Sequence, residues 1–259
     1  MNRVKALFKR LKKERRCGVI AYVTCGDGDT VRVVEELEAA GADAIELGVP
    51  FSDPIADGPV IQAASMRALK NGTSIRDVLT MARSIRERSR IPLIAFSYLN
   101  PIMRYGMERF ATEASEAGID GVLITDLPPE SADDTFKRAG LATVFLLAPT
   151  STDARIRAVD RASDGFVYYV STTGVTGTRS ELDPTLVDRL LEVRSKLRNP
   201  IAVGFGISRH EHYELLRDKC DAIVIGSAIV RAIGEGRSAG NVLKNILLPR
   251  VGGEGAEGG

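Results

Sequence analysis

The segment ELGVPFSDPIADGP, Glu46 to Pro59, places Glu46, Asp53 and Asp57 within twelve residues, with prolines between them. It begins as an apolar strand. Side chains alternate along a strand, so in DAIELG the pair Ile45/Leu47 faces one side and Ala44/Glu46 the other. Ile45 and Leu47 suit an outer face covered by helices, which turns Glu46 inward. An inward Glu neutralised by a neighbouring base would be merely structural, yet the strands offer no inward Lys or Arg. A carboxylate desolvated without a cation has a raised pKa, as acid/base catalysis near neutral pH requires. Asp57 lies eleven residues on, in the following loop, where it can turn back over the same mouth. Asp53 in Ser-Asp-Pro also reads as an ordinary turn residue.

Around this pair the strand ends are aromatic and apolar: Tyr22, Phe96, Tyr98, Leu123 and Tyr168. Aromatic residues are only 5% of the chain, so their gathering there carries weight. Two Gly-rich turns, AVGFGIS and IVIGSAIV, follow the last two strands, and STTGVTGTR with Arg179 precedes them. Such turns converge backbone N–H groups and a helix N-terminus on an anion, so a phosphorylated small molecule is the expected ligand. No strand-end lysine is placed for Schiff-base chemistry, and no carboxylate/His cluster suggests a metal. His210 and His212, two apart near a helix start, face different ways. An isomerase or retro-aldol step would have to run on carboxylates alone.

The elements that must carry these groups form a regular series. Strands are expected near Val19–Thr24, Ala44–Leu47, Pro92–Phe96, Gly121–Ile124, Thr143–Leu147, Gly165–Val170, Ile201–Val203 and Ala222–Ile225. Helical periodicity follows each, clearest in TVRVVEELEAAG and MERFATEASEAG, both closing on Gly. Eight unbroken βα units predict a (β/α)8 TIM barrel over residues 1–250, with a doubly wound open sheet as the alternative. An extra N-terminal helix is expected, with Val4, Leu7, Phe8 and Leu11 on one face and a cationic outer face. It is expected to pack on the body of the fold, with a membrane-surface role as the rival reading. Residues 251–259, rich in glycine, are expected to be a disordered tail.

The 259 residues are 44% apolar and balance 35 basic against 34 acidic side chains, which argues against a nucleic-acid binder. No apolar run is long enough to span a bilayer. Cys17, Cys25 and Cys220, odd in number and widely spaced, read as free thiols, and a cytoplasmic location is expected.

The runs ELGVPFSDPIADGPVIQAAS, SYLNPI, TDLPPE, STTGVTGTR, GFGIS and IGSAIV closely resemble the tryptophan synthase alpha subunit family, from about Tyr22 to Val230. The resemblance implies a barrel that cleaves indole-3-glycerol phosphate to indole and D-glyceraldehyde 3-phosphate. It also implies a beta subunit as partner, in an alpha2-beta2 heterotetramer, with pyridoxal phosphate in the beta subunit and no cofactor in this chain. By motif position, Glu46 and Asp57 correspond to the catalytic pair. Glu46 would protonate carbon 3 of the indole and take the glycerol hydroxyl proton as the carbon–carbon bond breaks. Asp57 would stabilise the cationic indolenine through its N–H and accept that proton as aromaticity returns.

The resemblance further implies that Tyr168 stands beside the glutamate and that Thr176 closes over the site. Gly177, Gly204, Gly206, Gly226 and Ser227 would hold the phosphate; Tyr22, Phe96, Leu123, Thr125 and Val224 would border the indole, with Tyr98 among the lining aromatics. Asp53, Asn100 and Pro101 would face the partner, although each also suits a turn or cap. Tyr22 stands where the family commonly has phenylalanine, and Thr125 where a small apolar residue is frequent. A different phosphate-sugar barrel would explain the Gly turns but not the Glu46/Asp57 run. A non-catalytic subunit would have no use for Glu46, Asp57, Tyr168 and Thr176 together.

Overall fold

The computed structural model describes residues 2–170, 184–204 and 206–248. Its strands are β1 Gly18–Thr24, β2 Ala44–Gly48, β3 Leu93–Ser97, β4 Gly121–Ile124, β5 Ala142–Leu147, β6 Val167–Val170, β7 Ile201–Gly204 and β8 Ala222–Ile225. All neighbours pair in parallel and in chain order, and β1 pairs with β8 to close the barrel. An open sheet would leave β1 and β8 as edges, so the doubly wound alternative is removed. Strand bounds differ from expectation by a residue or two. At Pro92, which has no N–H, the carbonyl still accepts from Ile45, but the strand begins at Leu93.

The helices among the described residues are α1 Arg3–Glu14, α2 Thr30–Ala39, α3 Pro59–Lys70, α4 Ile75–Arg88, α5 Leu99–Tyr105 and α6 Met107–Glu116. They continue with α7 Thr135–Arg138, α8 Asp153–Ala162, α9 Pro184–Lys196, α10 His210–Leu216, α11 Ser227–Gly234 and α12 Ala239–Leu247. Start signals are local: Pro59 opens α3, where a missing N–H costs nothing, and a Ser74/Asp77 capping box opens α4. The β4–β5 crossover departs from the expected helix. Pro128 and Pro129 lead into a 3-10 turn, and α7 has four residues.

The alternation at β2 comes out as read. Ile45 and Leu47 join the outer core between sheet and helices, whereas Ala44 lies in a separate interior cluster. That interior cluster includes Ile20, Ile94, Val144, Phe166, Ala202 and Val224. It also includes Val4, Leu7, Phe8 and Leu11, so the apolar face of α1 plugs the N-terminal end of the barrel. Phe8 meets Phe166 at a ring separation of 5.3 Å. Gly18 permits this approach, because a Cβ there would stand 2.6 Å from Leu11 Cδ1. The apolar face that could have met a membrane is spent on the core.

The same end carries a repeated carboxylate device. Asp43, Asp120 and Asp221 immediately precede or lead into even-numbered strands, and each grips the start of the strand before it. Val19, Leu93 and Ile201 donate their N–H to these three carboxylates at 3.0, 3.0 and 2.9 Å. The backbone N–H groups of Asp43, Asp120 and Asp221 donate back to the carbonyls of the same three residues. Each carboxylate also meets arginine: Arg16 and Arg10 at Asp43, Arg3 and Arg86 at Asp120, Arg194 at Asp221. Lys5 adds an ion pair with Asp164 at 2.6 Å. Arg3, Lys5 and Arg10 of α1 are therefore matched to the acidic rim that the helix plugs.

Candidate active site

Glu46 is in register with Tyr22 on β1 and with Ile94 on β3, with its side chain in the barrel interior. It is fully buried, and neither carboxylate oxygen has a hydrogen-bond partner among the described residues. Burial pushes its pKa up to about 8. At neutral pH Glu46 therefore mostly carries its proton.

Asp57 lies in the loop between β2 and α3 and is partly buried. Burial pushes it up to about 6, opposed by a hydrogen bond from Tyr98. The Tyr98 hydroxyl donates to Asp57 Oδ2 at 3.1 Å and accepts from the Ala56 N–H at 2.9 Å. Asp57 is thus mostly ionised at pH 7, while Glu46 is mostly neutral. Two carboxylates with pKa values pushed to either side of neutrality make an acid and a charged partner.

Three of the strand-end aromatic side chains pack together. Tyr22 packs edge-on to Phe96 at 5.2 Å, and Phe96 meets Tyr168 at 6.5 Å. Burial and then the Asp57 charge raise the Tyr22 pKa; burial and then Glu46 raise that of Tyr168. Both phenols stay protonated, within electrostatic reach of both carboxylates. Leu123, Tyr168 and Val224 belong to the interior cluster with Phe96 against it, while Tyr22 also packs on Ala64 of α3 and Val230 of α11. Thr125 donates to the Ser97 carbonyl at 3.3 Å, beside Tyr98.

Glycines shape this slot. At Gly48 a Cβ would stand 2.2 Å from the Tyr22 hydroxyl, so Tyr22 can lean over β2 only because that position is bare. Gly48 was not among the residues expected from sequence, although its place two after Glu46 puts it on the same inward face. At Gly204 a Cβ would stand 2.5 Å from the Tyr168 hydroxyl, so its visible role is to make room for that ring. Gly226 caps α11, and a Cβ there would come within 3.4 Å of Tyr22 Cβ. Gly226 and Ser227 begin a helix with no side-chain cap and no acidic residue in its first turn. Gly206 has φ +64°, and a Cβ there would meet nothing within 4 Å. Thr176, Gly177 and Arg179 lie outside the described residues.

Asp53 and Asn100 are exposed and Pro101 is partly so, on the β2–α3 loop and α5. Two exposed apolar residues that sequence reading passed over accompany them: Ile55 at 85% and Met103 at 61% exposure. A cavity of about 240 Å³ lies on the outer wall, between α7 and α8, and holds neither carboxylate. Among the described residues no group of three or more His, Cys, Asp or Glu is placed to hold a metal ion. No described helix is long and apolar enough to cross a membrane.

Comparison with known proteins agrees with this arrangement. Residues 8–249 match the family model for the tryptophan synthase alpha chain. The chain is 52% identical over 239 residues to the tryptophan synthase alpha chain of Solibacter usitatus, covering 90% of each. It is 46% identical over 238 residues to that of Geobacter sulfurreducens, covering 89% of this chain and 90% of the relative. Among solved structures, the Legionella pneumophila alpha subunit superposes with a TM-score of 0.88 at 35% identity, over 95% of this chain and 97% of that one. A Pyrococcus furiosus chain, described in the tryptophan synthase a2b2 complex, gives 0.84 at 41% identity over 89% of this chain and 97% of that one. With a closed barrel and relatives of this kind along almost its whole length, the chain belongs to the tryptophan synthase alpha chain family.

Proposed function

We propose that Glu46 and Asp57 carry out, in this chain, the family's reaction: retro-aldol cleavage of indole-3-glycerol phosphate to indole and D-glyceraldehyde 3-phosphate. The observation that carries the assignment is Glu46, fully buried, without a hydrogen-bond partner among the described residues, and raised to about 8. Glu46 delivers its proton to carbon 3 of the indole, making the ring a cationic electron sink. Asp57, ionised, stabilises that cation through the ring N–H. The Glu46 carboxylate then takes the proton of the glycerol hydroxyl next to the scissile bond. An aldehyde forms there, and the bonding electron pair returns to the ring as indole. These steps use two carboxylates and no cofactor in this chain.

The aromatic faces of Tyr22 and Phe96 border the indole, and the Gly226–Ser227 helix start binds the phosphate through backbone N–H groups. The roles that the family resemblance implies for Thr176 and Gly177 fall on residues outside the described ones. Asp53, Asn100 and Pro101, with Ile55 and Met103, form the face for a beta subunit that takes up the indole, in an alpha2-beta2 assembly. Exposure of this apolar pair on one side of the mouth and the a2b2 description of the Pyrococcus furiosus neighbour support that reading. The chain acts as one barrel domain in the cytoplasm, where buried Cys17, Cys25 and Cys220 stay reduced; residues 251–259 lie outside the described ones.

The test is direct: incubate the purified chain with indole-3-glycerol phosphate and follow indole, with and without a beta subunit. Indole release in step with glyceraldehyde 3-phosphate is expected, with turnover highest between about pH 6 and 8. No indole under either condition would sink the assignment.

A further inference from the structure

Tyr98 is expected from sequence as one more wall of the aromatic slot. Its hydroxyl does something more specific. A single oxygen accepts the Ala56 N–H at 2.9 Å and donates to Asp57 Oδ2 at 3.1 Å, so it holds two consecutive residues of a loop that begins 41 or more positions earlier in the chain. The side chain is 3% exposed, and its ring is held against Phe51 at 5.2 Å. Such a phenol has little freedom to swing away. Its backbone is fixed at the end of β3, because the neighbouring Leu99 N–H is bound by the Asp126 carboxylate at 2.6 Å.

We propose that Tyr98 is a positioning residue whose hydroxyl latches the β2–α3 loop and aims the Asp57 carboxylate at the substrate ring. The proposal rests on the reading of Asp57 as the charged member of the pair. Ala56 and Asp57 follow the highly exposed Ile55. Beyond the Tyr98 bonds, the Asp57 N–H donates to the Pro54 carbonyl and the Gln62 side chain donates to the Asp57 carbonyl at 2.8 Å, and neither of these holds the Asp57 carboxylate. The Ala56 bond fixes the height of the loop, and the Asp57 bond fixes the rotation of the carboxylate. One oxygen of that carboxylate is then engaged by Tyr98, leaving the other free for the ring N–H.

The latch has an electrostatic side. The charge of Asp57 acts on Tyr22 on β1, Tyr98 at the head of α5 and Tyr168 on β6. None is a cation. Tyr98 is the group whose hydrogen bond lowers the Asp57 pKa against burial. Burial and the Asp57 charge raise the pKa of the phenol itself, which keeps it a donor across the working range.

The experiment compares Tyr98→Phe, Asp57→Asn and the unaltered chain in indole release from indole-3-glycerol phosphate across pH. Tyr98→Phe keeps the ring against Phe51 and removes the hydroxyl alone. We expect kcat to fall roughly tenfold and KM to change less than about threefold, because the loss is of alignment in the transition state. The acid limb of kcat should move to higher pH, since Asp57 loses the bond that favours its ionised form. A raised KM with an unmoved acid limb would make Tyr98 a wall of the slot and overturn the proposal. So would a Tyr98→Phe profile superimposable on the unaltered one while Asp57→Asn loses turnover. If Asp57→Asn keeps full turnover, the reading of Asp57 itself fails. Should Tyr98→Phe not fold, 3-fluorotyrosine at position 98, a stronger donor of nearly the same shape, must shift the acid limb to lower pH; no shift overturns the latch.

Discussion

The two ends of the barrel use the same functional group in opposite ways. At the N-terminal end Asp43, Asp120 and Asp221 each accept a backbone N–H from the preceding strand and meet at least one arginine. At the C-terminal end, among the described residues, Glu46 has no hydrogen-bond partner, and the Asp57 carboxylate has one neutral phenol. A carboxylate whose lone pairs and charge are both answered is inert and holds strands in register. One that is buried and left unanswered costs stability and becomes a proton donor in the neutral range. The difference is not how deep the groups lie, for Asp120 is nearly as buried as Glu46. It is what stands opposite them.

The largest effect should come from Glu46→Gln, which keeps shape but removes the titrating proton. Indole release is expected to fall about 10²- to 10⁴-fold with little change in substrate binding. Near-normal turnover would show that the unanswered carboxylate is not the acid. Next comes Asp120→Ala, at the matched end. It leaves the Leu93 N–H without its acceptor and Arg86 without its carboxylate, though still on the Ser89, Ile91 and Gly118 carbonyls, and should cost about 3 kcal/mol in a urea unfolding curve. Turnover per folded molecule should stay within a few-fold; a large fall would mean that the two ends are not separable.

A third comparison uses pH. Glu46 is raised in the fold from an ordinary carboxylate value to about 8, so the folded state binds the proton more tightly than the unfolded chain. Stability from this group is complete below about pH 4.5 and is lost as pH rises towards 8. Glu46→Gln should therefore flatten the fall in stability between pH 5 and 8, by up to about 4 kcal/mol. An unchanged slope would mean that Glu46 is ionised in the folded protein. The smallest effect should be that of Arg3→Ala. Arg3 is partly exposed, and Arg86 remains on Asp120, so a loss of about 0.5–1 kcal/mol is expected.

Much of this was open to reading in the linear chain, for identifiable reasons. The strand alternation in DAIELG placed Glu46 inward, and the missing inward cation foretold its raised pKa. Period and turn chemistry are local, and so is the barrel's βα rhythm. What escaped depends on contacts between distant segments. Tyr98 reaches Asp57 across 41 positions, and a tyrosine at a strand end looks the same whether it lines a slot or ties a loop. Gly48 matters because Tyr22 leans over it from the next strand. The Asp residues ahead of even strands were visible as Gly-Ala-Asp and Gly-Ile-Asp, but a turn would use the same letters. The basic face of α1 was legible as charge; that four aspartates receive its cations and those of the helices around it needed the closed sheet.

The plug formed by α1 has a consequence for how the chain acquires its structure. The helix precedes every strand of the barrel in the chain, yet its apolar face shares one cluster with Phe166, Ala202, Ala222 and Val224, more than 150 positions later. Its ion pairs with Asp120 and Asp164 span 117 and 159 positions. Until β8 closes on β1, Val4, Leu7, Phe8 and Leu11 have no complete cavity to enter. Docking of the first helix is thus a late event that reports the last closure. Amide protection at Leu7 and Phe8 should appear together with pairing of β1 and β8, well after the local helices have formed.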